Sequence, residues 1–332
     1  MISFSRNIGW VTRSEQELLR KKRVAIAGLG GVGGIHLLTL TRLGIGGFTL
    51  CDPDVFELAN FNRQAGAMMS TLDQPKAETM ARMAKDINPE LDIRIHPDPV
   101  SFANAEDFLA GADLYLDGMD LFAFEAREAL FSACHRLRIP ATTAGPLGMG
   151  VALMNFLPGG MSFEEYFGWA GQSDEEKSLR FLLGLSPARL QLSYLADPSA
   201  VNLAERRGPS TPMACQLCAG AAGTEVLKIL LGRGPVLAAP WGMQFDAYRN
   251  RFVKTWRPGG EPEPDPEARP QDRPEAPRVL QEPLTSRPAL CPSSLQMERS
   301  MTGNPLKKAP SLVGEFDPDF CWSFLYLCLT NV

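Results

Sequence analysis

The sequence predicts an α/β fold, a mostly parallel sheet with flanking helices, a helical insertion and a closing antiparallel hairpin. Three observations predict it. From Val24 onward, short apolar runs alternate with longer runs of helical period, as β-α-β units do. A glycine-rich turn, Gly28 to Gly34, joins the first apolar run to the first such helix. After Arg257 both patterns stop, and twelve of the 27 prolines crowd between 258 and 310.

Taken in order, residues 1–22 form a charged lead-in, helical across Ser14–Arg20. Strands are expected at Val24–Ala27, Phe48–Cys51, Leu91–Ile95, Leu114–Leu116, Ala141–Thr143 and Met149–Phe156. Helices are expected at Val32–Leu43, Lys76–Ile87 and Phe122–Arg136. Asn88-Pro89 ends the second of these, because a residue before proline avoids the helical region. Residues 160–205 have helical patterns without the β-α rhythm and read as an insertion over the sheet. Met213–Leu231 is a long amphipathic helix that stops at Gly232. Met243–Phe245 and Phe252–Trp256 close the domain as a hairpin. Residues 1–257 are therefore expected to be one domain. Residues 258–332 are too rich in proline and charge to offset their ordering entropy, and disorder is expected there. A chain ending at Arg257 should stay folded and still bind nucleotide. Insolubility, or a large drop in melting temperature, would show that the tail packs on the domain, an outcome the apolar stretch Phe320–Val332 keeps open.

Composition narrows the function classes. Hydrophobic residues are 45% of the 332, enough for a full core, and the net charge of −5 makes nucleic-acid binding unlikely. The seven cysteines, at 51, 134, 215, 218, 291, 321 and 328, are odd in number and scattered, and no leader pattern precedes them. A reducing, cytoplasmic setting with free thiols is expected. No uninterrupted apolar run reaches the roughly 18 residues that span a bilayer, so no membrane role is expected.

The chemistry starts at the glycine loop. Val24–Ala27 runs into Gly28-Leu29-Gly30-Gly31-Val32-Gly33 and then a helix. Gly28 permits the tight turn, Gly30 lets backbone approach a phosphate, and Gly33 lets the helix pack on the strand. The helix start offers free N–H groups to an anion. Asp52 ends the second strand, where an acid grips ribose hydroxyls. That much suits NAD and ATP equally. The next residues favour a triphosphate. Asn60, Arg63 and Gln64 follow Asp52 and Asp54, and Arg63 offers a planar fork of donors to phosphate. Lys76 follows Gln74-Pro75 at a helix start and can hold a phosphate as a point charge. Asp117 and Asp120 end the fourth strand, and one of them can hold Mg²⁺.

This ordered set resembles the ThiF/MoeB-type adenylating family, within the ubiquitin-activating superfamily and its Rossmann-like fold. The likeness covers residues 4–160 well and 210–256 loosely. It implies an adenylyltransferase that uses ATP and Mg²⁺ to activate a carboxylate. The usual substrate is the C-terminal glycine of a small ubiquitin-like or sulfur-carrier protein; other members act on a peptide or a tRNA base. It implies that Gly28, Gly30, Gly31, Gly33, Asp52, Asp54, Asn60, Arg63, Gln64 and Lys76 bind the nucleotide. Arg6, Arg63, Lys76 and Asp120 would be the catalytic set, with Asp120 on magnesium. Phe4-Ser5-Arg6-Asn7 resembles the family's N-terminal element, whose arginine reaches the neighbouring subunit's ATP, so a homodimer is implied.

The chain also departs from the pattern. Family zinc sites use two C-x-x-C pairs, and only Cys215-Gln216-Leu217-Cys218 is present, so no zinc is expected. These two cysteines read either as small residues packed at a helix start or as a thiolate activated there. Leu121 stands where the family has asparagine. His36, His96 and His135 read as structural or surface residues. Two other functions compete. An NAD-dependent oxidoreductase would leave Asn60, Arg63 and Lys76 without a task. A non-catalytic partner subunit would not need Asp120 and Lys76.

Overall fold

The computed structural model describes residues 2–202, 205, 206 and 208–257. The expectations placed on 258–332 lie outside these residues.

A 3-10 turn, Ile2–Asn7, leads to helix α1 (Arg13–Leu19). Thr12 and Glu15 cap that helix reciprocally, each side chain taking the other's backbone N–H. Strand β1 (Arg23–Ala27) is buried at every position, as befits a parallel strand covered on both faces. Helix α2 (Gly33–Leu43) and strand β2 (Gly47–Cys51) complete the first unit. A long connection then carries two 3-10 turns to α3 (Lys76–Ile87) and β3 (Asp92–Ile95). The chain continues through α4 (Ala105–Phe108), β4 (Leu114–Asp117), α5 (Phe124–Leu137), β5 (Ala141–Leu147) and β6 (Gly150–Phe156).

The insertion supplies α6 (Phe163–Phe167), α7 (Asp174–Leu185) and two 3-10 turns. Helix α8 (Pro212–Leu231) begins with Thr211 as N-cap and ends at Gly232 with φ of 62°. Strands β7 (Trp241–Asp246) and β8 (Arg251–Trp256) form the hairpin. Every expected strand and helix is present, with ends moved by a few residues. The largest extension is β5, which runs to Leu147 because β6 pairs with it along its whole length.

One eight-stranded sheet results, in the order β3-β2-β1-β4-β5-β6-β7-β8. Neighbours from β3 to β5 are parallel, and the pairs from β5 to β8 are antiparallel. The order reverses between β1 and β4. At such a switch point two loops diverge and leave a crevice beyond the strands' carboxyl ends.

Two cores flank the sheet. One gathers Val24, Ile26, Leu37, Phe48, Met80 and Val226. The other is aromatic: Phe131, Phe156, Phe163, Tyr166, Trp169 and Phe181 bring the insertion onto α5. Helix α8 is long and apolar enough, at mean hydropathy 1.3, to cross a membrane by length and composition. Here its Cys218, Ala222 and Val226 are buried in a core. A polar chain also fixes it to the sheet: Thr142 donates to Asn155 at 2.7 Å, and Asn155 donates to Glu225 of α8 at 3.0 Å.

Candidate functional site

The loop after β1 and the loop after β4 touch at the switch point. Gly28 has φ of +81°, in the left-handed region that glycine enters without strain. A Cβ on Gly33 would sit 1.8 Å from the Gly28 carbonyl oxygen, so only glycine lets α2 begin so close to β1. Gly118 closes the same cluster, since a Cβ there would meet the Gly28 oxygen at 2.3 Å. The result is a backbone cradle at the start of α2.

Side chains surround that cradle. Asp52 accepts from Leu29 N at 2.6 Å and from Asp54 N at 2.9 Å. Burial pushes its carboxyl pKa up, against the lowering pull of those two hydrogen bonds and of Lys76. Each of its oxygens keeps a further lone pair for a ligand hydroxyl. Lys76 is buried except for its approach to Asp54, whose Oδ2 lies 3.1 Å from Nζ. Arg63 lays its aliphatic stem along Gly31 and donates to Ala59 O and Asn62 Oδ1. Gln64 packs its amide against Gly30, and its buried Oε1 has no hydrogen-bond partner. An orphaned acceptor beside the glycine loop fits a position that a donor group of a ligand would complete. Asn60 is buried in a local role, accepting from Glu57 N at 3.0 Å and holding the 3-10 turn that presents Arg63.

The two carboxylates after β4 have different fates. Asp117 is buried, with Oδ2 receiving Arg127 Nε and Thr143 Oγ1, both at 2.9 Å. Its Oδ1 receives Met119 N and the Tyr115 hydroxyl. Asp120 is exposed, and Oδ1 accepts only from Phe122 N at 3.1 Å. One exposed carboxylate beside a phosphate cradle is the donor set that Mg²⁺ uses with a nucleotide. Asp120 would hold that ion, and Asp117 is committed to the protein.

Arg6 is exposed in the 3-10 turn that docks at the far end of α2. The neighbouring Asn7 donates to the Arg42 and Leu43 carbonyls, both at 3.2 Å. The eleven residues of α2 put about 16 Å between that end and the glycine loop. The structure therefore brings together Gly28 to Gly33, Asp52, Asp54, Arg63, Gln64, Lys76 and Asp120, and leaves Arg6 apart.

Three contacts at the site had no signal in the spacing of residues. Asn62 donates to Ser210 O at 3.1 Å, tying the loop that carries Arg63 to the segment just before α8. Cys215 Sγ lies against Gly31, 3.1 Å from where a Cβ would be. Arg127 sits mid-helix on the buried face of α5, where an apolar residue is usual. That mismatch was the one clue available in the sequence.

Burial pushes the Cys215 thiol pKa up, and that of Cys218 well up. Burial thus opposes a thiolate at both positions. Among the described residues no three His, Cys, Asp or Glu side chains gather as a metal site. Metal analysis of the purified protein is expected to find no stoichiometric zinc. About one zinc per chain would mean that Cys215 and Cys218 leave their buried positions to bind it. His36 is also buried, its pKa lowered to about 4 chiefly by desolvation, which keeps it neutral.

The ThiF family model matches residues 4–268. A tRNA threonylcarbamoyladenosine dehydratase of Haemophilus influenzae is 37% identical over 131 residues, covering 39% of this chain and 49% of that protein. The sulfur carrier protein ThiS adenylyltransferase of Escherichia coli is 32% identical over 143 residues, 43% of this chain and 56% of that protein. The chain thus spans about half the length of the curated relatives it matches. Among solved structures, the E. coli tRNA N6-threonylcarbamoyladenosine dehydratase in complex with ATP aligns with a TM-score of 0.51. It is 22% identical and covers 70% of this chain and 94% of that one, a likeness of fold.

Proposed function

The chain belongs to the ThiF family, and on that premise we propose that it uses ATP to convert a carboxylate into an acyl-adenylate. The observation that carries the reading is the cradle of Gly28, Gly33 and Gly118 ringed by Asp52, Arg63, Lys76 and an uncommitted Asp120. That cationic and carboxylate rim suits a metal-bound triphosphate better than the pyrophosphate of NAD. The adenylyltransferase among the relatives, and the ATP complex of a protein that shares the fold, support it.

In this reading the α2 N-terminus and loop amides receive phosphate oxygens. Asp52 accepts the ribose hydroxyls. Arg63 and Lys76 face the β- and γ-phosphates, and Lys76 must turn part of its charge from Asp54 toward them. Asp120 would hold magnesium, which would supply charge neutralisation on the departing pyrophosphate. A carboxylate oxygen of the substrate attacks the α-phosphorus, the bond to the β-phosphate oxygen breaks, and pyrophosphate leaves. The protein's work is alignment and electrostatic stabilisation. Arg6 completes the cationic set from a second copy of the chain, so the active form is a homodimer. The insertion and the segment through Ser210 select the substrate. That substrate is a small carrier protein or peptide with a reactive C-terminal carboxylate, met in the cytoplasm.

The test is magnesium-dependent ATP–pyrophosphate exchange against a panel of candidates. The panel holds ubiquitin-like and sulfur-carrier proteins ending in glycine, peptides with a free C-terminus, and a tRNA carrying threonylcarbamoyladenosine, whose threonyl group also bears a carboxylate. Exchange with one of the protein or peptide members is the expected result, and exchange with the tRNA alone would overturn the carrier-protein reading. Tight NAD binding, with no exchange against any of them, would overturn the proposal.

A further inference from the structure

Arg127 is 1% exposed, and four hydrogen bonds of its guanidinium go to the edge of the site. Its Nε donates to Asp117 at 2.9 Å. Its Nη1 donates to Leu121 O at 3.1 Å, and its Nη2 to Met119 O at 2.9 Å and Asp120 O at 2.8 Å. Three successive carbonyls of the loop after β4 therefore turn onto one rigid planar group. A loop with no regular structure gets its backbone conformation from that group, and the backbone decides where the Asp120 carboxylate points.

The same guanidinium is also the contact with the insertion. The Phe181 ring of α7 covers it, with Cζ 4.6 Å from the ring centroid. The next residue on α5, Glu128, pairs with Lys177 at 3.1 Å. Lys177 and Phe181 are four apart on α7, hence on one helix face. Helix α7 thus grips α5 at two consecutive residues, one of which holds the Asp120 loop. The buried Arg127–Asp117 pair makes this joint stiff, since breaking it would strand a charge in the core.

We propose that Arg127 is a positioning residue through which helix α7 of the insertion sets the Asp120 loop for magnesium and ATP. The inference rests on the adenylation reading above. It means that the seating of α7, in the part of the chain assigned to substrate selection, is coupled to nucleotide affinity. Arg127 acts through Asp120 and touches no substrate itself.

The test measures ATP binding by calorimetry across a magnesium titration, alongside amide hydrogen exchange at residues 119–122. Two variants are compared with the full-length protein. Arg127→Lys keeps a charge opposite Asp117 but cannot span three carbonyls. Phe181→Leu keeps apolar volume but removes the ring face. In Arg127→Lys, the magnesium concentration for half-maximal tightening of ATP binding should rise about 10-fold, the size seen for groups that orient a metal ligand. In Phe181→Leu it should rise roughly 3-fold, in line with a modest cation–π contact. Affinity for ATP in EDTA should not change, and exchange at 119–122 should quicken in both. A purely structural role would weaken ATP binding equally with and without magnesium. Unchanged magnesium dependence in Phe181→Leu would overturn the coupling, even if Arg127→Lys failed to fold. Unchanged dependence in a folded Arg127→Lys would overturn the positioning role. A wild-type protein that binds no ATP would overturn the adenylation reading and this inference together. A wild type that binds ATP with magnesium, beside unaffected variants, would overturn the inference alone.

Discussion

Asp120→Ala is expected to abolish ATP–pyrophosphate exchange while leaving the fold intact. The side chain is exposed and makes one local hydrogen bond, to Phe122 N, so its removal costs about 1 kcal/mol of stability or less. The loop backbone keeps its shape because Arg127, not Asp120, holds the carbonyls of residues 119 to 121. Among the described residues, the two other carboxylates placed at the site, Asp117 and Asp54, have partners of their own. Both oxygens of Asp117 are already taken by Arg127, Thr143, Tyr115 and Met119 N. Asp54 faces Lys76. Losing a group that positions a metal on a departing phosphate costs on the order of 10²–10³-fold in rate, or more. The measurement is the exchange rate beside a thermal melt of the same sample. Full exchange in a protein with a normal melt would sink the assignment of Asp120.

That prediction joins what a sequence can and cannot disclose. The glycine loop was legible because its physics is local. Strand, tight turn and helix start follow one another along the chain, and Gly28 and Gly33 are where a Cβ would collide. Asp52 directly after a strand and Lys76 at a helix start could be placed from the sequence, whereas Arg63 and Asp120 lie in irregular connections. Helix and strand existence followed from periodicity, while ends such as Leu147 of β5 depend on a partner strand and so escaped it. The division of labour between Asp117 and Asp120 was not legible. It is decided by Arg127, ten residues further along α5, and by Thr143 from the next strand. The nearness of Cys215 to Gly31 depends on α8 crossing back over the loop, which only the folded chain shows. The insertion read as helical but featureless. Its aromatic residues turn out to pack on α5, so its position bears on the site through the core and not through the motif.

Arg6 is expected to act in trans, and the geometry sharpens that expectation. Its own glycine loop lies at the opposite end of α2, about 16 Å along the helix axis. The turn that carries it is pinned to that far end by Asn7 on the Arg42 and Leu43 carbonyls, while Phe4 of the same turn is buried. Arg6 is exposed there, facing away from the core and available to a neighbour. An arginine supplied across an interface can be worth roughly 10³–10⁵ in rate where it meets a transferring phosphoryl group. Less is expected here, because attack falls on the α-phosphorus and the charge builds on the leaving pyrophosphate. The test is complementation between two inactive proteins. Arg6→Ala alone should be nearly dead, and Asp120→Ala alone should be dead. In a mixed dimer, the site on the Arg6→Ala subunit keeps its own Asp120 and borrows Arg6 from its partner, while the other site carries both lesions. Mixing the two proteins under conditions of subunit exchange should therefore restore part of the exchange activity. No recovery, with mixed dimers demonstrated by tagged copies, would place Arg6 in its own subunit's site or outside the chemistry.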